Sequence, residues 1–314
     1  MIHQLVRKAF IFISLFFFFL FICCAPKEKW QTSTLLYFDT VCEVKLHCFP
    51  SEFNSYQKEV RRVFSEIEIH FSPGARDFSS PIVLSLYHKA LNIYYDSNGC
   101  FDITIGSLSR IWGFLNKSFR IPSKEEIEVV LNFIGMDKIK EEEGVLILEP
   151  SIELDWGGIA KGLGIDLAQQ SLKSMGIKRG FINAGGDLFC WGKNPENDTW
   201  KIGINHPREN GYIGILAISG VAAATTGDYQ RFFKIDGIRY HHIFNPQTGY
   251  PAKGKQSVTV IGPKTLICDA LSTALFVSEN PEKILKKYPN YGAIIVDSEG
   301  KVFMFGREYL FRFI

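Results

Sequence analysis

The sequence predicts an α+β fold. Segments with helical periodicity and segments rich in β-branched and aromatic residues are mixed without strict strand–helix–strand alternation, which disfavours a doubly wound parallel sheet. Hydrophobic residues make up 46% of the 314 positions and charged residues 22%, enough apolar material for a substantial core. The net charge is only +2, with both signs interspersed, and no basic stripe of the kind a nucleic acid needs is present.

The elements follow in order. "LLYFDTVCEVKLHCF" (35–49) reads as a strand. "SEFNSYQKEVRRVFSEIEIHF" places Val60, Phe64 and Ile67 at helical spacing between charges, an amphipathic helix. "SPIVLSLYHKALNIYYDSNGC" is a second helix ended by Asn98-Gly99, and "KEEIEVVLNFIGM" a third, capped by Ser123. "GVLILEPSIELDW" reads as a hairpin and "IAKGLGIDLAQQSLKSMG" as a helix ending at Gly176. Strands dominate from Gly180 to Tyr240; "ICDALSTALFVSE" and "EKILKKY" are helical, and "GAIIVDSEGKVFMFG" is a closing hairpin turning at Asp297 to Gly300.

The N-terminus speaks to location. Arg7 and Lys8 precede "IFISLFFFFLFI", after which "CCAPKEKW" turns polar. A basic segment followed by a short apolar run reads as a secretory signal, and cysteine directly after it is similar to a bacterial lipobox. Cys24, with the small Cys23 before it, fits lipid attachment better than Cys23, which follows Ile22; an uncleaved signal anchor is the alternative. The expected organisation is a signal or lipoprotein anchor over 1–24, a polar tether over 25–34 and one domain over 35–314, held on the outer side of the cytoplasmic membrane. The remaining cysteines, Cys42, Cys48, Cys100, Cys190 and Cys268, show no metal-ligand spacing.

Four segments are polar or glycine-rich where a plain core would not be. In "DWGGIAKGLGID" (Asp155 to Asp166), Gly157 and Gly158 precede a helix carrying Lys161. That arrangement suits phosphate binding and serves equally as a tight strand-to-helix turn. "INAGGDLFCWG" (Ile182 to Gly192) is a glycine-rich loop, on its own a plain turn. "AAATTGDYQRFF" (Ala222 to Phe233) supplies hydroxyls, a carboxylate and Arg231. In "CDALSTALFV", Asp269 and Thr273 stand at i and i+4 on one helix face, a hard-oxygen pair suited to Mg²⁺; Asp269 as a helix N-cap is the competing reading. Finally, "RYHHIFNPQTGYP" runs His241 and His242 into a turn. No third ligand stands at zinc spacing, so one of the pair acts as a proton acceptor near neutrality or both are structural.

Taken together, these segments resemble the ApbE family of membrane-tethered FAD:protein FMN transferases. The resemblance spans Leu35 to Val277 and rests on "FDT", "GCFDITIGSLSRIWGF", "DWGGIAKGLGID", "INAGGDL", "TTGDYQRFF", "HHIFNPQTGYP" and "DALSTALFV", in the family's order. It implies FAD contacts at Phe38, Cys100, Phe101, Asp102, Asp155, Lys161 and Ile243. It also implies a magnesium site at the main-chain oxygen of Gly158 with Asp269 and Thr273, and His242 as the base. The implied reaction moves FMN from FAD to a threonine or serine of an acceptor, such as a membrane redox-complex subunit, and releases AMP; hydrolysis of FAD to FMN and AMP is a sibling chemistry. Phe38 stands where methionine is frequent and Asn245 where aspartate is common. A flavin-binding lipoprotein without activity is the rival, and it would need neither His242 nor the Asp269/Thr273 pair.

Overall fold

The computed structural model describes residues 27–314. The expected anchor, residues 1–24, lies outside the described residues, as do Cys23 and Cys24. Among the described residues no helix is long and apolar enough to cross a membrane.

The centre is an eight-stranded antiparallel sheet in the order β1-β2-β5-β6-β9-β12-β13-β14. Its strands are β1 (Lys29–Tyr37), β2 (Thr40–Cys48), β5 (Gly180–Ala184), β6 (Asp187–Trp191), β9 (Val221–Gly227), β12 (Lys255–Gly262), β13 (Gly292–Asp297) and β14 (Val302–Gly306). Alternation along these strands sends side chains to two different cores. Val44, Ile182, Ala222, Ala224, Val258, Val260, Ala293 and Ile295 face the helices. Phe181, Leu188, Ala223, Ile261, Ile294 and Val296 face the opposite side. With both faces covered, the central strands read as near-continuous apolar runs.

One cover is helical: α1 (Phe53–Phe71), α2 (Pro81–Asp96), α5 (Ala160–Ser174) and α6 (Thr265–Val277). Helix α6 lies over β9 and β12, where the alanines of β9 allow close approach, and α5 packs between α1 and α6. The other cover is a three-stranded sheet of β7 (Trp200–Asn205), β8 (Tyr212–Ile218) and β15 (Phe311–Phe313), in the order β15-β8-β7. A third, smaller core joins Leu108, Trp112, Phe114, Ile127, Ile134 and Phe244. It ties the short helices α3 (Gly106–Ile111) and α4 (Lys124–Leu131) to a separate hairpin of β10 (Phe232–Ile235) and β11 (Ile238–His241). A five-residue helix α7 (Pro281–Leu285) completes the helices.

Several expectations change. The single strand expected over 35–49 is a hairpin: Phe38 and Asp39 take φ of 58° and 55°, a two-residue turn of the type that matches strand twist. The polar tether over 25–34 is cut short, because Lys29–Thr34 belong to β1. An edge strand tolerates polar residues on its open face, and Trp30 anchors this one by meeting Trp200 edge-on at 5.6 Å. The hairpin expected over 144–156 lies earlier, between β3 (Lys140–Glu142) and β4 (Val145–Ile147). The chain also closes one strand later than expected, with β15 pairing β8. Helix α4 carries the expected cap, since Ser123 and Glu126 form a reciprocal capping box.

Candidate active site

Helices α5 and α6 cross at their N-terminal ends, and glycine makes this possible. A β-carbon on Gly162 would stand 2.6 Å from the Leu266 Cα, so only glycine permits the approach. The Gly162 N–H then donates to Asp269 Oδ2 at 3.1 Å. The cap of α6 comes from across the interface: Asp166 accepts from the Thr265 and Leu266 N–H groups at 2.9 and 3.2 Å. Asp269 is therefore not the N-cap of its helix and is free to face α5.

Carboxylate, hydroxyl and carbonyl groups converge there. Lys161 Nζ donates to the Gly157 carbonyl at 2.9 Å and lies 2.9 Å from Asp187 Oδ2 and 3.3 Å from Asp269 Oδ2. A β-carbon at Gly158 would lie 3.2 Å from Thr273 Oγ1 and 3.3 Å from the Phe101 ring, so Gly158, Thr273 and Phe101 are immediate neighbours. The Thr273 hydroxyl is oriented by Thr226 Oγ1 at 3.2 Å, which is itself 2.6 Å from Ser272 Oγ. Burial alone would depress Lys161, but Asp187 and Asp269 outweigh it and hold the ammonium above its ordinary range. Asp269 is pushed up, by burial first and by the Asp187 charge second.

The donor set is hard oxygen throughout, the chemistry of Mg²⁺ rather than of zinc. Among the described residues no cluster of three or more His, Cys, Asp or Glu forms a metal cage. Two buried carboxylates share one lysine, and Asp187 Oδ2 makes no aligned hydrogen bond although Nζ is near. Two carboxylates against one ammonium leave negative charge that a divalent cation would neutralise. They also alter the reading of the glycine loop: the Gly157 N–H is taken by Asp155 Oδ1 at 2.9 Å, so the helix start presents protein carboxylates and a lysine rather than a ring of free N–H groups.

The remaining expected flavin positions are distributed as follows. Phe38, at the β1–β2 turn, packs on Phe64 at 5.0 Å and reaches Gly164, one turn along α5 from Lys161. Asp155 accepts from the Ser109 hydroxyl at 3.0 Å and donates its N–H to the Ile103 carbonyl, joining the "CFD" segment to the start of α5. Asp102 is buried, accepts from Thr104 N and Oγ1 at 2.7 and 2.6 Å, and is raised to about 6 by burial. It lines an open cleft of about 570 Å³ together with Gly99, Pro246 and Gln247. Cys100 is half-buried and Ile243 buried. All five cysteines among the described residues are free thiols.

The two histidines separate cleanly. The Ile243 N–H donates to His241 Nδ1 at 3.3 Å, so the proton of His241 sits on Nε2 and goes to the Ala252 carbonyl at 2.9 Å. Both of its nitrogens are engaged and its role is structural. His242 Nδ1 lies 3.1 Å from the Arg231 carbonyl. A carbonyl can only accept, so Nδ1 carries the proton and Nε2 a lone pair. Burial, then the Arg231 guanidinium, push His242 down to about 3, with smaller contributions from His241 and Lys161; the imidazole is neutral at neutral pH. The turn after it is built by Asn245, whose Oδ1 accepts from the Gln247 N–H at 2.8 Å, and it is held by Trp112 Nε1 donating to the Gly249 carbonyl at 3.0 Å.

The sequence of residues 38–295 matches a family model described as the "ApbE family". The chain belongs to the ApbE family. A relative from Haemophilus influenzae named FAD:protein FMN transferase is 31% identical over 200 residues, covering 60% of this chain and 58% of its own length. A Vibrio cholerae protein of the same name is 29% identical over 248 residues, covering 72% and 74%. Among solved structures, the ApbE protein of Thermotoga maritima superposes with a TM-score of 0.81 at 29% identity, over 89% of this chain and 100% of that one.

Sequence reasoning missed three participants. Asp187 sat in the Gly-Gly-Asp loop read as a plain turn; a carboxylate at the start of an otherwise apolar strand was the available signal. Thr226 was among the hydroxyls of the third polar segment, but neither its partner Thr273 nor the helix that Asp166 caps could be read from the chain, since they lie 47 and 99 residues away. Asp228, in the third polar segment, is paired with Arg208 and Arg239.

Proposed function

We propose that this protein is an FAD:protein FMN transferase, moving FMN from FAD to a threonine or serine hydroxyl of an acceptor flavoprotein subunit. Family membership and the names of its relatives support the reaction class. The observation that carries the assignment to this chain is His242, neutral, with Nδ1–H held by the Arg231 carbonyl and Nε2 unprotonated.

The chemistry follows from that tautomer. The acceptor hydroxyl loses its proton to His242 Nε2 as its oxygen bonds to the FMN-side phosphorus, and the pyrophosphate bond to AMP breaks. Lys161, anchored by Asp187 and the Gly157 carbonyl, offers an ammonium to the phosphate oxygens. Asp269, Thr273 and the Gly158 carbonyl would hold Mg²⁺, which supplies Lewis-acid neutralisation of the pyrophosphate. Phe38, Phe101 and Ile243 supply apolar surface for the flavin, and Cys100, Asp102 and Asp155 order the segment beside it. The acceptor proposed is a membrane-associated redox subunit. The protein is proposed to work on the outer face of the cytoplasmic membrane, held there by lipid on Cys24 after the signal before it is removed.

The test is intact mass of a flavoprotein acceptor after incubation with the protein, FAD and Mg²⁺, with released AMP measured in parallel. A gain of one FMN, abolished by EDTA, is the expected result. AMP and free FMN without a modified acceptor would instead identify a pyrophosphatase. For the anchor, mass spectrometry of the mature protein should find an N-terminal, lipid-modified Cys24; an unmodified Cys24 would refute lipidation there.

A further inference from the structure

Lys161 has three partners, and they are not equal. Asp187 Oδ2 and the Gly157 carbonyl are both at 2.9 Å, while the two oxygens of Asp269 stand at 3.3 and 3.4 Å. Charge-assisted contacts weaken quickly beyond about 2.9 Å, so the lysine is held by Asp187 and Gly157 and only leans on Asp269. Asp269 has a second donor of its own, the Gly162 N–H. Asp187 is only 3% exposed, and its Oδ2 makes no aligned hydrogen bond. A buried carboxylate in that condition is costly unless its charge is needed. Its position explains the need: it starts β6 directly after the Gly185-Gly186 turn, where the sheet fixes its backbone.

We propose that Asp187 is a positioning residue that keeps Lys161 as a resident counter-ion. In the metal-free protein the ammonium neutralises Asp269; when a divalent cation arrives, Lys161 gives up its long contacts to Asp269 and stays on Asp187 and the Gly157 carbonyl. Asp269 is thereby freed for the cation without leaving either buried charge alone, and Lys161 is left beside the cation where a phosphate must sit. The inference rests on the proposed cation site but not on the transfer reaction.

The test reads Mn²⁺ binding to the full protein without FAD or acceptor, by electron paramagnetic resonance and calorimetry, with circular dichroism confirming the fold of each variant. Asp187→Asn should weaken Mn²⁺ by about tenfold or more, the range seen when an outer-shell partner is lost, because Lys161 then pairs fully with Asp269. Lys161→Met should do the opposite and tighten Mn²⁺, since the competing cation is gone. In the double variant the Asp187→Asn loss should largely vanish, a coupling a merely structural aspartate would not produce. Equal Mn²⁺ affinity in Asp187→Asn and the parent, or weaker binding in Lys161→Met, overturns the proposal. A parent protein that binds no Mn²⁺ overturns it together with the cation site, whatever the transfer assay shows.

Discussion

The cation centre and the histidine turn are built on different principles. Asp269, Thr273, Lys161 and Asp187 come from elements of the main core, two crossed helices and the first residue of a central strand, so their geometry follows from the largest packed unit of the protein. His242 sits at the end of a small, mostly exposed hairpin, and its turn is held by the third core through one indole hydrogen bond to Gly249. The charged half of the site is built on the main core; the histidine half is positioned by a satellite that can be perturbed separately.

The largest expected effect comes from the satellite. His242→Ala should lower transfer by roughly 10²–10⁴-fold, the usual contribution of a positioned general base, with Mn²⁺ affinity unchanged; a full-rate variant in a single-turnover assay would remove the histidine from the mechanism. In the main core, Leu46→Ala empties a fully buried position on β2 and should cost about 2–5 kcal/mol in denaturant unfolding, while transfer per folded molecule stays near the parent's. Trp112→Phe sharpens the contrast: it leaves the Gly249 carbonyl unpaired, at about 1–3 kcal/mol, and should lower transfer more than Leu46→Ala does despite the smaller loss of stability.

A weaker effect should appear with pH. His242 is depressed from 6.5 to about 3, so between these values the unfolded chain takes up a proton that the folded one refuses. Stability is therefore lost as pH falls below about 6.5, and His242→Asn should lose less over that window in thermal melts. The transfer rate should show no titration of the base near pH 6.5. The smallest effect is expected for Asn245→Asp, since either residue supplies the oxygen that accepts from the Gln247 N–H; stability should change by no more than about 0.5 kcal/mol. A large rise in transfer would show that a carboxylate there does more than shape the turn.

Much of the fold was legible because its signals are local. Periodicity located α1, α2, α5 and α6, Ser123 announced its capping box, and Asn98-Gly99 and Gly176 marked helix ends, all within a few residues of the chain. The errors also have local causes. Phe38 and Asp39 carry no glycine to flag a turn at positive φ, so β1 and β2 read as one strand, and the polar character of Lys29–Thr34 hid an edge strand that leans on Trp200. In the site, Asp269 and Thr273 were legible as a pair because helix geometry alone puts them on one face. Their pairing with Gly158 became visible through resemblance, and with Asp187 through the structure alone.

By itself, then, the sequence determined the α+β class, most helices, the i, i+4 oxygen pair and the presence of two histidines before a turn, since each depends on contacts between near neighbours in the chain. Tertiary structure decided which histidine can accept a proton, that Asp166 caps α6 and frees Asp269, and that Asp187 holds Lys161. Those outcomes depend on hydrogen bonds and charges brought together from distant segments, and on the burial that gives them their strength.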